Sequence, residues 1–438
     1  MRWKETEYTG WGRVLKARGE IARPERASAL AELIRVSAAP AIGRLRSYGD
    51  ACLNSNGRAI DMTRLDRAIS FDPETNLAEV EAGMMIGQML EIFAPMGWLP
   101  PVMPGTGFAT VGGAVAMDVH GKNHHVAGSF GCNVEAITLM TPDGPKRIST
   151  SRNKELFRAT IGGMGQTGPI LSASVKMKKA KGDVIVVTER RVTDWDHFIQ
   201  LLDKSDATYS VGWIDATAHG ASLGRGVLEE AETGGGLVPA VKRGKKIPFD
   251  APAFTLSPPV VRTFNSVYWR RVPDRGRTIV KPIHDFFFPL DKIHDWNRLY
   301  GKDGFHQFQC VVPIAAVDVL REMLARIASS GLASPLAVLK RMGAGRAGYM
   351  SFPMEGYTLA VDFPNRPAAE RLIRDLESMT AETGGRIYLA KDSLSRPENI
   401  AAMYPEHKQW LKAVTKFDPD GKYKTDLVRR LKLREVRS

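Results

Sequence analysis

Four glycine clusters and one histidine-rich run hold the residues of this 438-residue chain whose types and spacing could do chemistry. The first cluster is Ala41-Ile42-Gly43-Arg44-Leu45-Arg46-Ser47-Tyr48-Gly49-Asp50. The second is Pro104-Gly105-Thr106-Gly107-Phe108-Ala109-Thr110-Val111-Gly112-Gly113-Ala114. The third is Asp118-Val119-His120-Gly121-Lys122-Asn123 with Gly128-Ser129-Phe130-Gly131, and the fourth is Gly162-Gly163-Met164-Gly165-Gln166-Thr167-Gly168. Glycine lets backbone N–H groups approach an anion without a Cβ in the way and permits positive φ, so such loops can cradle a phosphate. Each cluster alone reads as an ordinary turn between short strands. Four together, with Ser and Thr among them, make a nucleotide cofactor the better reading. Neither common glycine fingerprint is present: no Gly-x-Gly-x-x-Gly joins a strand to a helix, and no Gly-x-x-x-x-Gly-Lys-Ser/Thr occurs. A metal site from His120, His124 and His125 is disfavoured. No supporting carboxylate accompanies them, and Gly121 and Asn123 work against a helix that would align His120 with His124. No metal is expected.

The elements that must position these loops are short. Ala59–Met62, Ala78–Ala82, Ala136–Met140 and Leu171–Met177 read as strands, and Met84–Met96 as a helix ending at Gly97. This mixture indicates an α+β domain. A basic, polar stretch at Lys178–Asp183 marks a boundary. Beyond it, Val184–Val187, Tyr209–Ile214, Gln307–Val312 and Tyr357–Asp362 read as strands. His197–Leu202, Ala315–Ser329 and Arg366–Thr383 read as helices, giving an antiparallel sheet with helices on one side. Residues 224–262, rich in Gly, Pro and Lys, read as a long loop.

The length suits two domains. Three scattered cysteines, Cys52, Cys132 and Cys310, suit free, mostly buried thiols rather than a disulfide framework. Met1–Glu20 is polar and lacks the apolar core of a signal peptide, and no run is long and apolar enough to span a bilayer. The expected location is cytoplasmic or peripheral to a membrane. The formal net charge of +13 suits nucleic acid, anionic lipid or a phosphorylated substrate. Nucleic acid is the weakest of these, since no basic stripe with interleaved aromatics appears. The excess is partly local, at Lys242, Arg243, Lys245 and Lys246, at Arg270, Arg271, Arg275 and Arg277, and after Lys422. These are either solvated faces or contacts for a phosphate-bearing lipid at an anionic membrane.

Read in order, Pro-Gly-Thr, Thr-Val-Gly-Gly-Ala, His-Gly-Lys-Asn-His-His and Gly-Ser-Phe-Gly resemble the vanillyl-alcohol oxidase (PCMH) type of FAD-binding domain. Within that superfamily the chain resembles the oxidase subunits of decaprenylphosphoryl-β-D-ribose 2′-epimerases. The likeness runs from about Gly43 to the end, through Gly212-Trp213-Ile214-Asp215-Ala216, Gln307-Phe308-Gln309, Ser351-Phe352-Pro353, Lys391-Asp392-Ser393 and Met403-Tyr404-Pro405. It implies a two-subdomain FAD-binding domain from residues 1–182 and 385–438, with a substrate-binding domain at 183–384. It also implies an extended FAD with its pyrophosphate on the loops at 43–51 and 105–113. The cofactor contacts it implies are Gly43, Arg46, Ser47, Tyr48, Gly49 and Asp50 in the first loop. Gly105, Thr106, Thr110, Val111, Gly112 and Gly113 follow in the second, then Met117, Asp118, His120, Gly128, Ile170 and Tyr388. Arg46-Ser47 stands where many relatives carry the histidine that links FAD covalently, so the expected FAD is non-covalent. The family's usual glycine before the Arg-Ser-Tyr-Gly-Asp run is Leu45 here.

The same resemblance implies roles. Lys391 matches a flavin-adjacent lysine that binds the reacting hydroxyl, with His120 and Tyr48 as its catalytic companions. Lys122 would bind the substrate's phosphate or ribose, and Gln309, Lys340, Trp213 and Thr358 would line the sugar site. Phe286-Phe287-Phe288, Thr358 and Ala360 depart from the family's pattern, which bears on substrate fit. The leading expectation is an FAD-dependent oxidoreductase acting on the 2′-hydroxyl of a polyprenyl-phosphoryl-β-D-ribose. An NAD(P)H-dependent reductase partner would complete an epimerisation to the arabinose form, and the enzyme would touch an anionic membrane. The alternatives are an aldonolactone or alditol oxidase acting on a free sugar, and a flavin- or lipid-phosphate-binding protein without turnover.

Overall fold

The computed structural model describes residues 2–237 and 244–435. It is a mixed α+β fold with three larger sheets, of which the first and third line one cavity. The first sheet has four strands in the order Lys4–Thr9, Lys16–Ala22, Arg58–Asp61, Ala41–Ile42; the first pair is antiparallel and the others parallel. The strands and helix before residue 40 have no counterpart in the sequence reading. Lys4–Thr9 carries three charges in six residues and Lys16–Ala22 three in seven, which hides their alternation. The helix Ala27–Val36 buries Leu30, Leu33 and Ile34 against Ile60, Met62 and Met140. That contact ties the first sheet to the second.

The second sheet is antiparallel, ordered Ala68–Asp72, Leu77–Glu81, Ile170–Lys176, Val134–Thr141, Gly144–Ser149. The expected helix ends as a Pro-containing 3₁₀ turn, Ala94–Met96, closed by Gly97 at φ 80°, a left-handed cap that favours glycine.

The third sheet has eight antiparallel strands and positions the chemistry. Its order is Arg277–Pro282, Val184–Val192, Gly226–Gly234, Tyr209–Ile214, Ala337–Met342, Gly356–Pro364, Phe305–Val312, Arg386–Ile387. Side chains alternate between its faces. Leu228, Ile214, Leu339, Leu359 and Phe308 enter the core with the helices Trp195–Lys204, Val317–Ser330 and Pro367–Glu382. Their neighbours Glu229, Trp213, Lys340, Thr358 and Gln309 line the cavity on the other face.

Residues 224–262 are not one long loop. Gly226–Gly234 is a nine-residue strand inside the third sheet, and Pro258 starts the helix Pro258–Arg270. Glu229, Glu230 and Glu232 concealed the strand, since the cavity face carries a glutamate where a core strand would carry an apolar side chain. Lys242 and Arg243 lie outside the described residues. Cys310 is buried and Cys52 half-buried, whereas Cys132 is exposed. Among the described residues, no helix is long and apolar enough to cross a membrane.

Candidate active site

A cavity of about 760 Å³ runs between the glycine loops and the third sheet. At one end stand the loops at 41–48 and 103–110. Backbone N–H groups of Arg44, Leu45, Arg46 and Ser47 find no acceptor among the described residues. Arg46 packs its guanidinium over Trp11 at 4.0 Å and over Phe108 at 4.7 Å, and its Nε is buried without a partner. A buried unpaired donor costs about 1–3 kcal/mol, so this loop suits an anionic group that would accept from it. Burial holds the Arg46 guanidinium below its usual pKa. Asp291 accepts from Gly107 N at 2.7 Å and pins the second loop. A Cβ on Gly107 would meet the Phe288 ring at 3.0 Å. The row of free N–H groups, the orphaned guanidinium nitrogen and the cavity volume together fit a dinucleotide.

The middle of the cavity is a ring of polar groups. Lys391 places Nζ 3.6 Å from the centroid of the Tyr48 ring. Burial pushes the Lys391 ammonium well down towards neutrality, opposed by Asp362, whose own carboxyl burial pushes up. Gln307 and Tyr300 both donate to that carboxylate. The buried Tyr48 phenol is held well above its usual range, chiefly by burial. Tyr48 N donates to Ala390 O at 2.9 Å, which joins the two loops. Arg430 locks them from behind, donating to both oxygens of Asp50 and to Asp392, each at 2.8 Å.

His120 stands between two partners. Gln309 Nε2 lies 3.0 Å from its Nε2, and Lys340 Nζ lies 3.0 Å from its Nδ1. A neutral imidazole offers one N–H and one lone pair. With the Gln309 amide nitrogen donating to Nε2, the ring proton sits on Nδ1 and faces Lys340 as a neutral amine. Turning the Gln309 amide reverses both bonds and makes Lys340 the ammonium donor. Lys340 is pushed down to about 7 by burial, with repulsion from Lys122 and Lys391 adding to it. Lys340 therefore titrates near neutral pH. His120 is held far below its usual range, first by burial and then by Lys340. Gln309 also donates to Thr358 Oγ1 at 3.3 Å. Tyr388 stacks on Phe352 with centroids 4.6 Å apart and closes this wall.

Part of the cavity wall is cationic. Lys122 donates to Phe286 O and lies 3.8 Å over the Phe286 ring; burial pushes it down to about 8, with Glu229 opposing. Arg271 and Lys281 line the same wall. Glu189 and Glu229 face each other directly across paired strands, a like-charge pairing that destabilises by itself. Arg271, Arg277 and Lys281 offset it: Arg271 bonds Glu189 at 2.8 Å, Arg277 bonds Glu189 at 2.6 Å and Lys281 bonds Glu229 at 2.8 Å. Four cations thus face two carboxylates, leaving this wall positive.

The cavity wall brings together Lys391, Tyr48, His120, Lys122, Gln309, Lys340, Trp213 and Thr358, with Gly43, Arg46, Ser47, Gly105, Thr106, Thr110, Gly113, Met117 and Tyr388. Gly49, Asp50, Val111, Gly112, Asp118, Gly128 and Ile170 stand outside it. Asp50 is taken by Arg430, and a Cβ on Gly49 would meet Asp392 O at 1.9 Å. Asp118 accepts from Gly131 N at 2.8 Å and from Ser351. Val111 and Gly112 donate to Met84 O and Ala82 O, Gly128 caps a short helix at φ 67°, and Ile170 opens a strand. Of the phenylalanine triplet only Phe286 reaches the cavity; Phe287 and Phe288 are buried in the core. Glu229, Lys281, Gln307 and Asp362 were not singled out for a role in the sequence. Their roles depend on strand register, which no local pattern gave.

The FAD binding domain family model matches residues 20–148. Over 403 residues the chain is 37% identical to decaprenylphosphoryl-beta-D-ribose oxidase of Mycolicibacterium smegmatis, covering 89% of this chain and 88% of that protein. It is 33% identical to an uncharacterized protein in the mprA 5′ region of Streptomyces coelicolor, covering 79% of this chain and 99% of that protein. A D-lactate dehydrogenase of Anaerostipes hadrus is 28% identical over 34% of this chain and 33% of its own length.

Proposed function

This chain belongs to the decaprenylphosphoryl-beta-D-ribose oxidase family of FAD-dependent oxidoreductases, and from that premise we propose that it oxidises the 2′-hydroxyl of a polyprenyl-phosphoryl-β-D-ribose to the 2′-keto sugar. The observation that carries the reading is that one cavity combines three sets of groups: the anion-binding loops, the polar cluster of Lys391, Tyr48, His120, Gln309 and Lys340, and the cationic wall of Lys122, Arg271 and Lys281. A sugar held between a cofactor and a phosphodiester needs all three.

FAD, held by Arg46 and the loops around Gly43 and Gly105, supplies the two-electron oxidation of the carbinol carbon. Lys391, pushed towards its neutral amine, takes the hydroxyl proton as the carbon loses its hydrogen. General-base catalysis works best when the base titrates near working pH, and burial places Lys391 there. Gln309, Thr358 and His120 orient the sugar hydroxyls, and neutral His120 adds no further buried charge beside Lys340. The Phe286 and Trp213 walls exclude water. Arg46-Ser47 stands where many relatives carry the histidine that links the flavin, so FAD is held non-covalently. Reduction of the keto sugar to the arabinose epimer falls to a separate NAD(P)H-dependent reductase, and the lipid tail brings the enzyme to a membrane.

The test is anaerobic bleaching of the yellow protein by farnesylphosphoryl-β-D-ribose, beside an aldonolactone and a free alditol. Bleaching by the phospholipid sugar alone is the expected result. Bleaching by the free sugars instead supports the aldonolactone or alditol oxidase reading. Acid precipitation of the same sample should leave the yellow colour in the supernatant.

A further inference from the structure

We propose that the outer face of the Pro258–Arg270 helix, with the segment leading into it from residue 244, is a docking surface for an anionic lipid bilayer. The proposal deepens the reading of the substrate as a polyprenyl phosphate, and it rests on a separate set of side chains.

The helix has two faces. Val261 and Asn265 are buried, and Tyr268 continues that row at helical spacing. Tyr268 packs edge-on against Trp213 at 4.6 Å, and both line the cavity. About 100° round the helix, Val260, Phe264 and Val267 follow one another at the same spacing and are all exposed, Val267 at 65%, with the Phe264 ring stacked on Tyr268 at 6.0 Å. The 3₁₀ turn Ala253–Leu256, which packs beside the helix, exposes Phe254 at 69%, and Phe249 before it is exposed at 65%. Single exposed apolar residues need no explanation, but a row with two phenylalanines next to it marks an interaction site.

Charge selects the partner. Between residues 244 and 277 there are seven Lys and Arg against two Asp. Asp250 is neutralised by Arg13 and Arg298, and Asp274 by Arg191. Lys245, Lys246, Arg262, Arg270 and Arg275 are all exposed, Arg262 and Arg270 on the helix itself, with Lys246 paired to Asp295 at 3.6 Å. Aromatic and aliphatic side chains ringed by basic ones are the pattern of a helix lying in the headgroup region of an anionic bilayer. The helix also gives the surface a purpose. Its inner row walls the cavity where Arg271 stands, so a lipid tail leaving the cavity passes from Tyr268 and Trp213 onto the side that meets the bilayer.

The experiment is co-flotation of the holoenzyme with vesicles of phosphatidylglycerol and phosphatidylcholine, with size-exclusion chromatography and turnover of a short-chain, detergent-soluble substrate alongside. Wild-type protein should float with anionic vesicles and lose binding in high salt. Phe254→Ser/Val260→Ser/Val267→Ser should reduce vesicle binding at least tenfold with FAD content and short-chain turnover unchanged. Lys245→Gln and Arg262→Gln should each weaken it by about fivefold. Wild-type protein that stays unbound, or a triple variant that binds like wild type, overturns the docking surface and leaves the substrate reading standing. A triple variant that changes oligomeric state without changing vesicle binding also overturns it and makes the face a contact between copies. Vesicle binding without turnover of any phospholipid sugar sinks the substrate reading instead and leaves the surface intact.

Discussion

Lys391 holds Nζ 3.6 Å above the centre of the Tyr48 ring, although the two residues lie on loops more than 340 positions apart. The contact matters because each loop is anchored elsewhere. Tyr48 N bonds Ala390 O, and Arg430 bridges Asp50 to Asp392. The amine is thus fixed against an aromatic face, within a cavity that favours its neutral form. Replacing Lys391 with Ala should leave FAD bound and lower the bleaching rate by about two to four orders of magnitude, the usual contribution of a positioned base. Stopped-flow absorbance checks the rate, and the flavin-to-protein ratio checks binding. A variant that bleaches like wild type removes Lys391 from the chemistry.

Lys340 gives a pH signature of the fold itself. Its folded pKa, pushed down to about 7, lies below the value of about 10.4 for a lysine in an unfolded chain. Between those values the unfolded chain binds the extra proton, so stability rises with pH across this window. Below about pH 7 the folded chain carries the full cost of the buried charge. Lys340→Met should flatten the slope by up to about 1.4 kcal/mol per pH unit. Urea unfolding of the apoprotein at several pH values between 7 and 10 measures it. An unchanged slope would mean that Lys340 titrates normally.

Leu45 occupies the left-handed region at φ 53°, in the place where the family's usual residue is glycine. An L-residue there costs roughly 1–2 kcal/mol. Leu45 also packs on Tyr8, Ile42 and Leu53, so removing its side chain loses apolar contacts. Glycine releases the strain while alanine keeps it. Leu45→Ala should therefore destabilise the protein more than Leu45→Gly, the reverse of the order expected in ordinary backbone. Paired thermal melts decide it, and an alanine variant at least as stable as the glycine one refutes the strained-loop account.

The sequence reveals the glycine loops because their chemistry is local: a phosphate cradle needs glycine and small polar residues within ten positions. It also reveals Lys391, His120 and Lys340, through resemblance. The strand Gly226–Gly234 escapes, because Glu229 breaks the apolar alternation on the face turned to the cavity. The carboxylate of Asp362 escapes for a related reason. It is buried beside Gln307 and Tyr300 by strand register, and its neighbours along the chain give no hint of it. Gly49 and Asp50, by contrast, are cofactor contacts that the resemblance implies. In the fold Asp50 is turned away to meet Arg430, whose place in the last helix no local pattern discloses.

The cationic wall yields the most discriminating kinetic test. Lys281 bonds Glu229 at 2.8 Å and lines the same cavity wall as Lys122. If it also meets the substrate's phosphate, Lys281→Gln removes a charge-assisted hydrogen bond of about 1.5–3 kcal/mol. KM for the phospholipid sugar should rise roughly tenfold or more with kcat nearly unchanged, since the phosphate is bound equally in ground and transition states. A competing cause is built into the wall, because the substitution also frees Glu229 to repel the phosphate. Lys281→Gln/Glu229→Gln separates the two. If KM returns to the wild-type value in the double variant, repulsion by Glu229 was responsible and Lys281 only neutralises it. If KM stays high, Lys281 holds the phosphate directly, and the rise should shrink as added salt screens the same contact in the wild-type enzyme.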